Sequence, residues 1–372
     1  MKRLTILLSV VLVVLLAAAA CAPKAAPAPA TPSRAPAAPA VSPEEAEWAK
    51  VVAAAKKEGK VMAFTWSLAA TPGDLVVKFF KDKYWIVIER VTGLTPTLIE
   101  RIKSDHAAGR YVADWFDASA SSNYALKAAG ATEPIVGLLP VLKERGAFYS
   151  SPQLEADGHL ISNNVSFFSM AINTKLVPPD QEPKSWREVI DPKWAGKVVF
   201  ASPTTAPDLI YAYVLRDKLG LDEDFFRQLG KQAKMVPAGK DAASMLSRGE
   251  AHIWMTASQT MAAPMVVEGA PVKFITPREG PIQSIGNTMV RIKNGPNPNA
   301  TRFFMNWLLT AEGQNVLNEA RATTPLRKDV PDPVPQALKV PGEKAVVTEF
   351  EHILEISKIQ SGKTLSKIMG VE

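Results

Sequence analysis

Residues 185–220 read SWREVIDPKWAGKVVFASPTTAPDLIYAYVLRDKLG, and the hydrophobic period changes twice within them. Ser185 is followed three residues later by Glu188, the spacing that satisfies orphan N–H donors at a helix start. Pro192 closes that turn. Residues 197–201 (KVVFA) form an apolar run of strand length with β-branched members. The polar loop 202–207 then leads into Asp208, where helical spacing resumes. A strand that hands hydroxyls to a helix start builds a small cradle for an anion from N–H groups, hydroxyls and helix dipole. Most strand–loop–helix joints are only connections, so these residues alone leave both readings open.

The same alternation recurs upstream. Residues 44–58 open on a capping box (Ser42, Glu45) with Pro43 at the first helical position, and Gly59 stands at the C-terminal stop. Strands are expected at 60–65, 86–88 and 113–117, with helices at 74–83 and 98–108 between them. Such alternation predicts mostly parallel sheets, whose ligands sit at the carboxyl ends of the strands. The loops 66–71 and 117–122 are therefore the expected pocket walls of this half. Further on, helices are expected at 222–233, 242–248, 299–309 and 344–358.

A chain of 372 residues is too long for one comfortable core and points to two lobes of ordinary size. Its net charge of +6 is spread among mixed signs without a basic block, which argues against nucleic acid as a partner. Cys21 is the single cysteine, so no intrachain disulfide or thiolate metal site can form. It follows a positive Lys2-Arg3, an apolar stretch 4–16 and small residues 17–20, the pattern of a secretory signal. Residues 22–43 hold seven prolines and nine alanines and read as an extended tether.

Several segments carry a family resemblance. The start resembles bacterial lipoproteins, in which the cysteine at position 21 here would be lipidated; Ala18 departs from the leucine that pattern prefers, and an ordinary cleaved signal or short membrane anchor is the alternative. DPKWAGKV at 191–198, AINTKLV at 171–177, the Glu312-Gly313-Gln314 turn and Thr324-Pro325-Leu326-Arg327 resemble extracellular solute-binding proteins of ABC transporters, in the branch that takes ferric ion, polyamines, thiamine and phosphonates. The likeness covers roughly 44–330. It implies the class II periplasmic-binding-protein fold, α/β, with two lobes joined by a two-crossing hinge. The expected division is signal 1–20, lipidated tether 21–43, lobe one from 44–165 and 273–325, lobe two 166–272, and a C-terminal helical segment 326–372 packed on both. The implied role is capture of a small polar solute, which the candidate contacts below make anionic, and its delivery to ABC permease subunits. The protein would work as an exported monomer, anchored by lipid at the outer face of the cytoplasmic membrane or in the periplasm.

The candidate ligand contacts are Trp66, Ser67, Asp117, Ser119, Ser121, Thr204, Thr205, Trp254, Thr256, Ser258 and Asn287. The set is rich in hydroxyls and holds one acid, which suits an oxyanion better than a polyamine. For Trp66 and Trp254, near strand ends, core packing and ligand contact are both open; Trp115 and Trp307 read as core. Ferric relatives place paired tyrosines after a G-E-A-D-type turn. Here Gly249-Glu250-Ala251-His252 holds that turn and Gln259-Thr260 stand where the tyrosines would fall, so direct tyrosinate coordination is not expected, though ferric ion, free or chelated, with a synergistic anion supplying the missing ligands, is the alternative. No metal site or cofactor is expected: His106, His159, His252 and His352 are scattered without ligand spacing. An exported, tethered hydrolase is the second function class. It needs a nucleophile–base pair, and neither G-x-S-x-G nor H-E-x-x-H occurs. Gly362-Lys363-Thr364 resembles the end of a phosphate loop, but Ser357 stands where its first glycine belongs, and it reads as helix surface.

Overall fold

The alternation of periods becomes an alternation of elements. In chain order the first half holds α1 (Pro43–Glu58), β1 (Lys60–Thr65), α2 (Ala70–Tyr84), β2 (Val87–Val91), α3 (Thr95–Ala107), β3 (Trp115–Ala118), α4 (Ala120–Ala128), β4 (Thr132–Glu133) and β5 (Ile161–Ser162). A second series follows: β6 (Ser166–Asn173), β7 (Val198–Ala201), α5 (Asp208–Asp217), α6 (Glu223–Gln232), β8 (Lys234–Val236), α7 (Gly239–Ser247), β9 (Ile253–Ser258), α8 (Gln259–Val267), β10 (Val272–Ile275) and β11 (Ile282–Ser284). The chain closes with β12 (Thr288–Ile292), α9 (Pro298–Leu308), α10 (Ala311–Arg321), β13 (Val346–Val347), α11 (Phe350–Lys358) and α12 (Lys363–Met369). The computed structural model describes residues 42–149, 154–203, 208–358 and 363–370. The signal segment, Cys21, the tether up to residue 41, and Thr204 and Thr205 lie outside the described residues.

Two sheets organise these elements. The first runs β2-β1-β3-β12-β4, with β5 also on β12; the second runs β13-β11-β6-β9-β7-β8, with β10 on β6. Resident strands pair in parallel, β1 with β2 and β3, and β7 with β8 and β9. The two strands that arrive from the other sheet, β12 and β6, run antiparallel to β3 and β9. This follows from connectivity: resident strands end at the cleft, and a chain entering from the cleft must run the opposite way.

The two crossings lie side by side. The Asn163 N–H donates to the Asn287 carbonyl at 3.0 Å, and the Asn287 N–H donates to Asn164 Oδ1 at 3.0 Å. Gly286 sits between them at φ +68°, and a Cβ there would lie 2.2 Å from the Asn164 carbonyl oxygen. A third tie joins Val165 N–H to the Thr324 carbonyl at 3.1 Å, while the Thr324 hydroxyl meets Gln259 Oε1 at 3.0 Å.

Apolar packing covers both sheets. Trp115 and Trp307 are buried, as expected, and join Phe80, Phe303 and Phe304 beneath the first sheet. Phe200, Phe225, Phe226 and Leu229 are buried against the second. The sequence expectation differs from the structure at three places. Strands β10 and β11 belong to the second sheet, so the lobe boundary on the return falls at 285–287 rather than at 272/273. A strand, β13, precedes the helix expected from 344, because Val346 and Val347 find an open parallel edge on β11. Ser185 caps a 3₁₀ turn (Trp186–Ile190), yet Glu188 accepts from the Lys184 N–H and Ser185 donates to Glu279, so the reciprocal box does not close.

Candidate functional site

A cleft of about 410 Å³ lies where the two sheets face each other. That volume fits a small organic molecule. Its second-lobe wall follows from strand periodicity: Trp254, Thr256 and Ser258 alternate along β9 and all line the cleft, as do Ser166 and Phe168 on β6. On α5, Asp208 and Tyr211 are one turn apart and share the cleft face. Tyr211 stacks on Phe168 with ring centroids 3.6 Å apart, and its hydroxyl meets Ser284 Oγ at 3.4 Å.

The first-lobe wall is built at strand and helix ends. Trp66 follows β1 and is 48% exposed. Ser119 caps α4, with its hydroxyl 3.0 Å from the hydroxyls of both Ser121 and Ser122. The first-turn N–H groups of such a helix have no intrahelical acceptor and favour an anion. Arg321, the last residue of α10, reaches the same wall, its guanidinium 5.9 Å from the centre of the Trp66 ring. Its Nη1 is buried and has no hydrogen-bond partner. Burial draws its pKa down, and the nearby Asp117 charge opposes that shift.

Six of the expected contacts line this cleft: Trp66, Ser119, Trp254, Thr256, Ser258 and Asn287. Three described ones do not. Asp117 is fully buried behind the wall, where its Oδ1 accepts from the Thr65 hydroxyl and from the Trp66 N–H at 3.2 Å. Burial raises its pKa against these hydrogen bonds. Its work is to shape the loop after β1, where Thr65 Oγ1 in turn accepts from the Leu68 N–H at 3.0 Å. Ser67 is buried beside it, and the Ser121 hydroxyl meets that of Ser119.

Sequence reasoning did not reach the two charged residues of the cleft. Arg321 looks like an ordinary cation at a helix C-terminus, a position the helix dipole favours. Its signal was the neighbouring Thr324-Pro325 segment, which returns to the crossing at Val165. Asp208 looked like an ordinary acid at a helix start, yet it is buried and its carboxyl is pushed up to about 6 by desolvation. The acid of the pocket is therefore Asp208 and not Asp117. Among the described residues, no group of three or more His, Cys, Asp and Glu side chains is placed to hold a metal ion.

The Asp208 shift gives a stability prediction. The folded state holds this proton more tightly than the unfolded chain, whose carboxyl titrates near 3.8. The stabilisation is complete below about pH 4 and is lost as pH rises through about 6. The other ionisable groups lining the cleft are Tyr211, on the same helix, and Arg321. Asp208→Asn, neutral throughout, should gain roughly 1–3 kcal/mol over the parent between pH 4.5 and 7.5 in urea denaturation of the ligand-free protein. Parallel stability curves for the two proteins would contradict the burial argument.

Comparison with known families decides what kind of cleft this is. Residues 125–346, more than half of the chain, match the family model described as bacterial extracellular solute-binding protein. The chain belongs to that family. This solute-binding protein is 24% identical over 255 residues to an uncharacterized protein of Haemophilus influenzae, covering 65% of this chain and 71% of that one. Its fold is similar to iron-bound HitA from Pseudomonas aeruginosa (TM-score 0.67, 19% identity, 84% of this chain and 99% of that one). It is also similar to AfuA from Actinobacillus pleuropneumoniae with exogenous fructose-6-phosphate bound (TM-score 0.65, 15% identity, 84% and 99%), and to the ferric binding protein of Campylobacter jejuni (TM-score 0.67, 17% identity, 83% and 98%). The solute-binding protein thus has the class II periplasmic-binding-protein fold, α/β, with two lobes and paired crossings.

Proposed function

We propose that this solute-binding protein is the capture component of an ABC importer and takes a small organic anion into the cleft between its lobes. The observation that carries the anionic assignment is Arg321. A guanidinium nitrogen held in the cleft wall, out of water and without a hydrogen-bond partner, is costly unless a ligand completes it. The α4 start with Ser119 and Ser122 adds neutral donors beside it, and the half-exposed Trp66 offers a flat apolar face for the body of the solute, whereas Trp254, at 1% exposure, packs into the core behind the wall. Contacts from both lobes would favour a closed arrangement, because only that arrangement lets both walls reach one ligand. The closed form would dock on membrane permease subunits and release its solute unchanged; the protein would act as a monomer and without turnover.

The test is a thermal-shift screen of the purified protein against carboxylates, phosphonates, sulfonates, phosphate esters, polyamines, sugars and ferric citrate. A solute at about 100 times its dissociation constant adds about 2.7 kcal/mol of stability. Stabilisation by organic anions supports the reading. Stabilisation by ferric species alone, as the names of several solved relatives would suggest, overturns it.

The membrane attachment is a separate proposal, resting on the lone Cys21 after an apolar stretch. Cys21→Ser should release the protein from the membrane fraction and abolish incorporation of labelled fatty acid. A variant that stays membrane-bound and labelled would refute it.

A further inference from the structure

Arg321 and Asp208 are the two charged side chains that line the cleft among the described residues, and they come from opposite lobes. Neither makes an ion pair with any described residue. Arg321 has its Nη1 buried and unpartnered, and its guanidinium lies over the Trp66 ring. Asp208 is 8% exposed, at the start of α5. Buried charges in proteins are paired, and an unpaired one either shifts its titration or waits for a partner. Had the two been close enough to neutralise one another they would form a salt bridge; instead the cleft keeps a cation on one wall and a carboxyl on the other.

We propose that the solute is a zwitterion, with its oxyanion on Arg321 and the α4 start in the first lobe and its ammonium group on Asp208 in the second. This rests on the anionic reading above and extends it to the far end of the ligand. Tyr211, one turn from Asp208 on α5 and stacked on Phe168 of β6, supplies the kind of aromatic ring on which an alkylammonium is stabilised. Burial has moved the Asp208 carboxyl up to about 6, so at neutral pH it carries a charge that no described protein cation offsets. An ammonium group placed there removes that cost. A ligand that binds both charged walls would also couple capture to lobe closure, since neither lobe alone satisfies both of its ends.

Matched probes test this. Affinities of the purified protein at pH 7.5 would be measured by calorimetry for ω-amino, ω-hydroxy and unsubstituted alkyl carboxylates, sulfonates and phosphonates of several chain lengths. The ω-amino member of at least one trio should bind about 10-fold or more tighter than its two analogues, the discrimination expected when a charged group would otherwise lose its hydrogen-bond partner. Asp208→Asn should erase that preference, and Arg321→Gln should weaken all three members. If amino and unsubstituted acids bind alike, the zwitterion assignment fails while the anionic reading stands. If only amines bind, or if Arg321→Gln changes nothing, the anionic reading fails and takes this inference with it. The ratio of amino to unsubstituted acid in the parent protein decides the matter even if Asp208→Asn does not fold.

Discussion

Arg321→Gln should lower affinity for the anionic solute by at least about 30-fold, with the fold intact. Truncating one partner of a desolvated charge pair costs about 2–5 kcal/mol, much of it for leaving the other charge unmatched. The variant keeps the aliphatic part of the side chain but loses the guanidinium and its place over the Trp66 ring, so the lost positive charge and its donors account for the effect. The effect on the empty protein should be small: Gln removes a cation that burial already disfavours, and it also removes the charge that offsets buried Asp117. These two changes oppose each other, so the melting point of the ligand-free variant should stay within a few degrees of the parent. Calorimetric titration with whichever anion the thermal screen identifies checks the first part, and a melting curve checks the second. Parent-like affinity would remove Arg321 from the site. A collapsed melting point would make it a structural residue instead.

The second large effect is expected at the hinge. Gly286→Ala should destabilise the protein by about 3 kcal/mol or more. A left-handed backbone costs a non-glycine residue about 1–2 kcal/mol. The new Cβ would in addition stand 2.2 Å from the Asn164 carbonyl oxygen, a backbone atom that can retreat only by disturbing the adjacent crossing. The bond from Asn287 N–H to Asn164 Oδ1 lies directly beside that point. Gly109→Ala separates the two contributions, because Gly109 has nearly the same φ, +68°, with nothing within 4 Å of its Cβ position. Urea denaturation of both variants should show the Gly286 change as clearly the larger. Equal losses would mean that the crossings yield easily and that the close approach carries little energy.

The parts of the protein that were legible from sequence are those governed by local chemistry. Hydrophobic period marks β7 and α9, and the hydroxyl-rich stretch around Trp254, Thr256 and Ser258 reads as pocket lining, which the alternation along β9 explains. The family likeness, carried by short turn motifs such as 191–198, led to the two-lobed architecture. Asp117 was misplaced because a carboxylate at a strand end can face the cleft or turn back into the loop. The hydrogen bonds from Thr65 and Trp66 turn it back. The lobe boundary at 272/273 was misplaced for a similar reason: β10 and β11 carry no local mark of the sheet they join, and their partner is β6, about a hundred residues upstream.

By itself, then, the sequence determined the elements, their alternation and the family, since these depend on side chains within a few residues of one another. Only the tertiary structure decided the charges of the site. Arg321 and Asp208 are separated by more than a hundred residues of chain, and each looks ordinary on its own helix. Their role comes from desolvation, which depends on what folds over a residue and not on what precedes or follows it.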